Sequence, residues 1–207
     1  MNQLRVKKPI AIEEEIEKEA KYIFTEFKMF TSGFRVLFLI QRHKEGGETN
    51  NSKLIKIVTR NQDEYFKALK ELLREKITSG LPLRIYASVN QRNFKKTILQ
   101  FQHEMIDVNY QDNEQTENFY LDIKNHFIGC LMQPSQRKTS LFLFDVDNEE
   151  GRDVMGEALC VIPNEYILYT YATKNGWHII TNPFNYTEIK LPKNCEFKKD
   201  ALLLLSF

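Results

Sequence analysis

Phe142-Leu143-Phe144-Asp145-Val146-Asp147-Asn148 is the stretch from which the fold is read. Apolar residues run straight into Asp-x-Asp. The span from Thr139 to Val146 is apolar on both faces until its end, which predicts a central strand buried on both sides. Side chains alternate along a strand, so Asp145 and Asp147 share one face, roughly 7 Å apart. Two carboxylates held that close repel unless something positive sits between them. A hard cation such as Mg²⁺ or Mn²⁺ takes oxygen ligands and suits the pair. The other reading is local: Asp147-Asn148 cap the following helix and Asp145 turns outward.

A buried strand needs neighbours, and the chain on either side supplies them. After it come a helix over 151–161, strands over 166–172 and 177–182, and a final strand over 200–207. Before it, helical spacing of Ile12, Ile16, Ala20, Ile23, Phe24 and Phe27 predicts a helix over 11–30. Strands over 34–41 and 54–60 flank a Gly- and Asn-rich hairpin tip at 43–52. Asn61, with Glu64 three residues on, opens a helix over 61–78. A strand over 83–89 leads to Asn90, read as the cap of a helix reaching Ile106. The polar stretch 107–116 reads as a surface loop and 117–132 as another helix. The order αββαβααβαβββ is too irregular for a doubly wound sheet. It predicts an α+β fold with a mixed or antiparallel sheet and flanking helices. The whole chain, 1–207, reads as one domain, with a split near 107–117 separating two lobes, 1–107 and 117–207.

Bulk properties narrow the class. The chain has 207 residues, 42% hydrophobic and 28% charged, which is ordinary globular composition. A net charge of +1 excludes a histone-like coat but not a local basic groove. Cys130, Cys160 and Cys195 fit neither a zinc ribbon nor a disulfide framework. The acidic N-terminal region lacks the apolar core of a signal peptide. The longest apolar run, Ala201 to Leu205, is far short of the ~20 residues that span a bilayer. The expected location is the cytoplasm, and no membrane partner is expected. Abundant Lys, Asn, Ile and Glu suit an AT-rich genome such as that of a phage, which would place the protein in the host cytoplasm.

Three further stretches could carry chemistry. Thr173-Lys174-Asn175-Gly176-Trp177-His178 puts turn chemistry before a His on the returning strand. An imidazole there can donate to a phosphate oxygen or assist proton transfer, and Lys174 adds charge. The alternative is a plain hairpin with a surface His. Lys198-Lys199-Asp200 precedes a run of Leu, so Asp200 is a candidate third carboxylate or a strand-edge charge. Arg84, Tyr86 and Ser88 share one strand face, and Asn90 and Arg92 follow at a helix N-terminus, a natural anion seat. Solvated arginines beside a capped helix are the alternative there.

Taken in order, Asp-x-Asp on a strand, a later His and a later Asp resemble the archaeo-eukaryotic primase superfamily, the catalytic domain of primases and primase-polymerases. That family carries hhhDhD on one strand, sxH on a second and hD on a third. Phe142 to Asp147 match the first motif. Gly176-Trp177-His178 stands where the second belongs. Lys199-Asp200 stands where the third belongs, without the usual hydrophobic residue before the Asp. The resemblance covers residues ~84–207. It implies an RRM-like catalytic core, with the first 80 residues forming an N-terminal α/β half. It implies a metal-dependent nucleotidyltransferase acting on a nucleoside triphosphate and DNA or RNA, with a replication helicase or another phage protein as a further partner. Asp145, Asp147 and Asp200 would be catalytic and hold the metals. His178, Lys174, Asn175, Arg84, Asn90 and Arg92 would face the nucleotide. Two metal ions about 3.5–4 Å apart would activate a 3′-hydroxyl and stabilise the leaving pyrophosphate.

Rival readings come from other classes. A haloacid-dehalogenase-type phosphatase opens with the same pattern but needs a longer stretch after it, with a Lys and further acidic residues. The same carboxylates and His could serve a two-metal nuclease. A catalytically inactive module that only binds nucleic acid or protein is the non-enzyme alternative.

Overall fold

The computed structural model describes residues 9–41, 54–111 and 114–206. In chain order the elements are α1 (Pro9–Glu26), β1 (Arg35–Gln41), β2 (Leu54–Thr59), α2 (Gln62–Ser79), β3 (Leu83–Ser88), α3 (Phe94–Gln111), α4 (Glu114–Leu121) and α5 (Ile123–Met132). Then follow β4 (Phe142–Asp147), α6 (Val154–Val161), β5 (Ile167–Ala172), β6 (Gly176–Thr181), β7 (Cys195–Lys198) and β8 (Leu202–Ser206). The fold is α+β, as expected, but the strands form two four-stranded sheets rather than one. The chain divides into two compact units, Met1–Ala87 with Leu204–Phe207, and Ser88–Leu203.

The first unit holds a sheet in the order β2-β1-β3-β8, whose fourth strand comes from the end of the chain. β1 pairs antiparallel with β2 and with β3. The predicted hairpin tip at 43–52 lies outside the described residues. Ile16, Ala20 and Ile23 of α1 and Phe27 just after it are buried, as are Tyr65, Leu69, Leu72 and Leu73 of α2, so each helix buries its spaced apolar stripe. Asn61 caps α2 by accepting from the Glu64 N–H at 2.9 Å, and Gly80 closes that helix at φ 64°.

The second unit holds a sheet in the order β5-β6-β4-β7, with every pairing antiparallel. β4 is central, as its two-sided apolar sequence requires. Phe142, Phe144 and Val146 of β4 pack with Val154, Ala158, Ile162, Ile179 and Cys195, which puts α6 on one face of the sheet. A second cluster, Phe101, Phe119 and Cys130, ties α3, α4 and α5 together.

Several boundaries differ from the sequence reading, each for a local reason. The split falls after Ala87, not near 107–117. The polar stretch 107–116 is helical where described, because Val108 packs on the Phe101 cluster and its carbonyl accepts from Thr116 Oγ1 at 3.1 Å. The helix predicted over 117–132 breaks at Asp122, whose carbonyl takes the Asn125 N–H. The helix predicted from Asn90 starts at Phe94, with Asn93 accepting from the Lys96 N–H at 3.1 Å. β7 was not expected at all. No helix among the described residues is long and apolar enough to cross a membrane.

Candidate functional site

One face of the second sheet is the apolar core under α6; the other carries the buried Leu143 and Ile180 at one end and polar side chains at the other, and strand alternation decides which residue goes where. On β4, Phe144 and Val146 enter the core, so Asp145 and Asp147 face the opposite way. On β6, Trp177 and Ile179 pack on the core, and His178 between them faces the polar side. On β7, Cys195 and Phe197 are the core residues, leaving Glu196 and Lys198 on the polar face. The register then aligns one residue from each strand: Tyr171 opposite His178, His178 opposite Asp145, and Asp145 opposite Glu196.

Hydrogen bonds run along this row. His178 Nε2 lies 3.0 Å from Asp145 Oδ1, so that nitrogen carries the proton and donates. His178 Nδ1 then accepts from the Tyr171 hydroxyl in a short contact. Lys198 Nζ donates to Asp145 Oδ2 at 2.8 Å and to Glu196 Oε2 at 2.9 Å. The His178 bond, with help from Lys198, holds the Asp145 carboxyl well below the usual carboxylate range, although burial opposes it. Burial pulls the Lys198 ammonium down, but Asp145 and Glu196 together outweigh it and raise it. Burial, aided by Asp145, pushes the Cys195 thiol up to about 11, so this thiol is no nucleophile at neutral pH.

Asp147 stands opposite Gly176 at the exposed end of β4. It does not cap α6; Asp153 does, accepting from the Gly156 N–H at 2.9 Å. The turn before His178 is held against this strand end, with the Asn148 N–H donating to the Asn175 carbonyl at 2.8 Å and the Thr173 N–H to the Gly176 carbonyl at 2.7 Å. A Cβ at position 176 would sit 1.9 Å from the Val146 carbonyl oxygen, so the strands meet this closely only with glycine there. Lys174 and Asn175 are exposed in that turn.

The remaining expected site residues are spent elsewhere. Arg92 is fully buried and grips Asp200 with two bonds, 2.8 Å and 3.0 Å, while donating to the Met132 carbonyl at 3.3 Å. Asn90 is also fully buried and stitches backbone together, donating to the Leu141 and Lys199 carbonyls and accepting from the Leu141 N–H. Neither side chain sits at the helix N-terminus as an anion seat. Arg84 lies on β3 in the first unit. Sequence reasoning missed Tyr171, Glu196 and Lys198. The alternation Cys195-Glu196-Phe197-Lys198 was the available signal for the last two.

The arrangement does not make the expected metal centre. Among the described residues, no three His, Cys, Asp or Glu side chains come together in a way that could hold a metal ion. Both Asp145 oxygens face protein cations or donors, and both Asp200 oxygens face Arg92. No family model, curated protein or solved structure matches the chain.

Proposed function

We propose that the protein handles nucleotides as a primase- or polymerase-like nucleotidyltransferase, taking a nucleoside triphosphate and a DNA or RNA strand. The observation that carries this reading is the register of Asp145 against His178. Two motifs separated along the chain need not meet by chance, yet they stand side by side on the one polar face. A four-stranded antiparallel sheet backed by α6 also suits the RRM-like half that such a domain requires.

The polar face can do three things for a triphosphate. Lys198 offers an ammonium on a flexible stem, a point charge for phosphate oxygens. His178, engaged at both nitrogens, keeps the Asp145 carboxylate in place beside the phosphates. Lys174 and Asn175, exposed in the turn beside Asp147, can meet the outer phosphates. The work of such a site is positioning and charge neutralisation, which is most of what phosphoryl chemistry asks of a protein.

The test is extension of primed DNA and RNA templates with labelled ribo- and deoxyribonucleoside triphosphates, with Mg²⁺ or Mn²⁺ present. The wild-type chain should lengthen the primer and the Asp145→Ala/Asp147→Ala double variant should not. Shortening of the strand instead would identify a nuclease. The engagement of Asp145 by Lys198 and His178 favours one second reading, a catalytically inactive nucleic-acid-binding module. Template binding without extension, unchanged in the double variant, would establish it.

A further inference from the structure

We infer that Lys198 is an exchangeable counter-ion, whose ammonium keeps divalent cations away from Asp145 and Glu196 until a polyphosphate draws it off. The second half of this inference rests on the nucleotide reading above.

The geometry sets the competition. Lys198 Nζ is 2.8 Å from Asp145 Oδ2 and 2.9 Å from Glu196 Oε2, so one positive charge already fills the space between two facing carboxylates. Any divalent cation entering there must displace it or bear its repulsion at contact distance. At Asp145 this ammonium takes the place that the expected metal would fill, as Arg92 does at Asp200, and it belongs to a residue that the Asp-x-Asp motif does not include.

The same geometry says why this lysine can leave. Its side chain is 34% exposed and Glu196 is 71% exposed, so the ammonium lies at the edge of water rather than inside the sheet. A lysine ammonium is a strongly hydrated point charge on a four-carbon stem, and it changes partners without demanding a fixed fork of donors. Asp145 would not be left bare by its departure, because His178 stays on the other oxygen. A polyphosphate offers several charged oxygens to the same ammonium. Its arrival would convert Asp145 and Glu196 from carboxylates sharing one counter-ion into two whose facing oxygens, Asp145 Oδ2 and Glu196 Oε2, no longer hold it. Linkage makes the coupling reciprocal: the polyphosphate strengthens divalent-cation binding by the same factor that the cation strengthens polyphosphate binding.

The experiment uses the full chain and two separate probes. Free Mn²⁺ is followed by electron paramagnetic resonance without any phosphate, and metal-free inorganic tripolyphosphate is titrated by calorimetry. Lys198→Met should bind Mn²⁺ about tenfold or more tighter than wild type and lose tripolyphosphate binding by a similar factor. Lys198→Arg should keep the wild-type exclusion of Mn²⁺. Adding Asp145→Asn to Lys198→Met should remove the gain, which places it at this carboxylate. In wild-type protein the carboxylate carbon of Asp145 should shift on tripolyphosphate addition, a readout that requires no folded variant. Unchanged Mn²⁺ affinity in Lys198→Met overturns the exclusion and leaves the nucleotide reading standing if tripolyphosphate binds. A Mn²⁺ gain in a protein that binds no tripolyphosphate, or an unmoved Asp145 signal, overturns the release; the absence of binding also removes the nucleotide reading.

Discussion

Arg92 with Asp200, and Lys198 with Asp145, are two acid–base pairs in the same unit with opposite characters. The first is closed: the Arg92 side chain is fully buried, Asp200 is 14% exposed, and a planar guanidinium meets a carboxylate with two bonds. The second is open: Lys198 and Asp145 are 34% and 30% exposed, the contact is a single bond, and each member has another partner. A bidentate fork in a dry site is costly to form and costly to break, so it fixes geometry. A lysine at the water's edge is cheap to move, so it can respond to a ligand. The residue types that mark a catalytic site in sequence thus serve two purposes here, and burial separates them.

The largest effect that would test this contrast is on the closed pair. Asp200→Ala leaves the Arg92 charge buried without its counter-ion, and unfolding in urea should show a loss of about 3–5 kcal/mol. A loss near that of an exposed pair would mean that the two pairs are not different in kind. Next comes the seam that brings Asp147 beside the His178 turn. Gly176→Ala drives a methyl group toward the Val146 carbonyl, and β4 and β6 must part to admit it. The expected loss is about 1–3 kcal/mol by the same measurement. If the protein handles nucleotides as proposed, the variant's loss of nucleotide binding should exceed what partial unfolding explains, because Asp145 and His178 lie across this same strand pair.

A third variant asks whether the open row is a connected unit. Tyr171→Phe keeps the ring and removes the donor to His178 Nδ1, leaving a buried acceptor unpaired at a cost of about 1–2 kcal/mol. The informative readout is the nitrogen chemical shifts of His178. In wild type, Nε2 should be the protonated nitrogen and Nδ1 the acceptor. In Tyr171→Phe the proton should spread over both nitrogens. An unchanged tautomer would mean that Asp145 alone orients the ring.

The sequence carried these two sites unequally. The central strand, the shared face of Asp145 and Asp147, and the orientation of His178 follow from period-two alternation, which is a local property. The cap at Asn61 is equally local, and it is present. What alternation cannot report is which distant residue a side chain will meet. Asp200 and Arg92 both stood out as candidates, yet 108 residues separate them and nothing local said that they would occupy each other. β7 spans four residues between Asn194 and Lys199, so its alternation is real but too brief to tell a strand from a loop, and with it went Glu196 and Lys198. The division into two sheets was hidden for a similar reason. It depends on the last strand pairing in the first unit, a choice made by tertiary packing.

The smallest effect concerns the open pair and has a sign that acid titration can check. Asp145 has a carboxyl pKa depressed in the folded state, chiefly by His178 and then by Lys198. Such a group contributes stability that is fully present above the unfolded carboxylate value of about 4 and is lost as pH falls through the lower folded value. Asp145→Asn should therefore cost about 1 kcal/mol at neutral pH, a figure kept small because Asp145 and Lys198 are both partly exposed. The difference between wild type and variant should begin to shrink below pH about 4, where the carboxylate of the unfolded chain takes up its proton, and should close only below the lower folded value. Lys198 gives the mirror image. Its raised pKa contributes stability below the unfolded lysine value of about 10.4, lost as pH rises through the folded one. Asp145→Asn should therefore also weaken the alkaline arm, leaving Glu196 as the remaining carboxylate on Lys198. A difference that persists undiminished into strong acid would mean that Asp145 acts through packing rather than charge, and the contrast with the buried Arg92–Asp200 pair would dissolve.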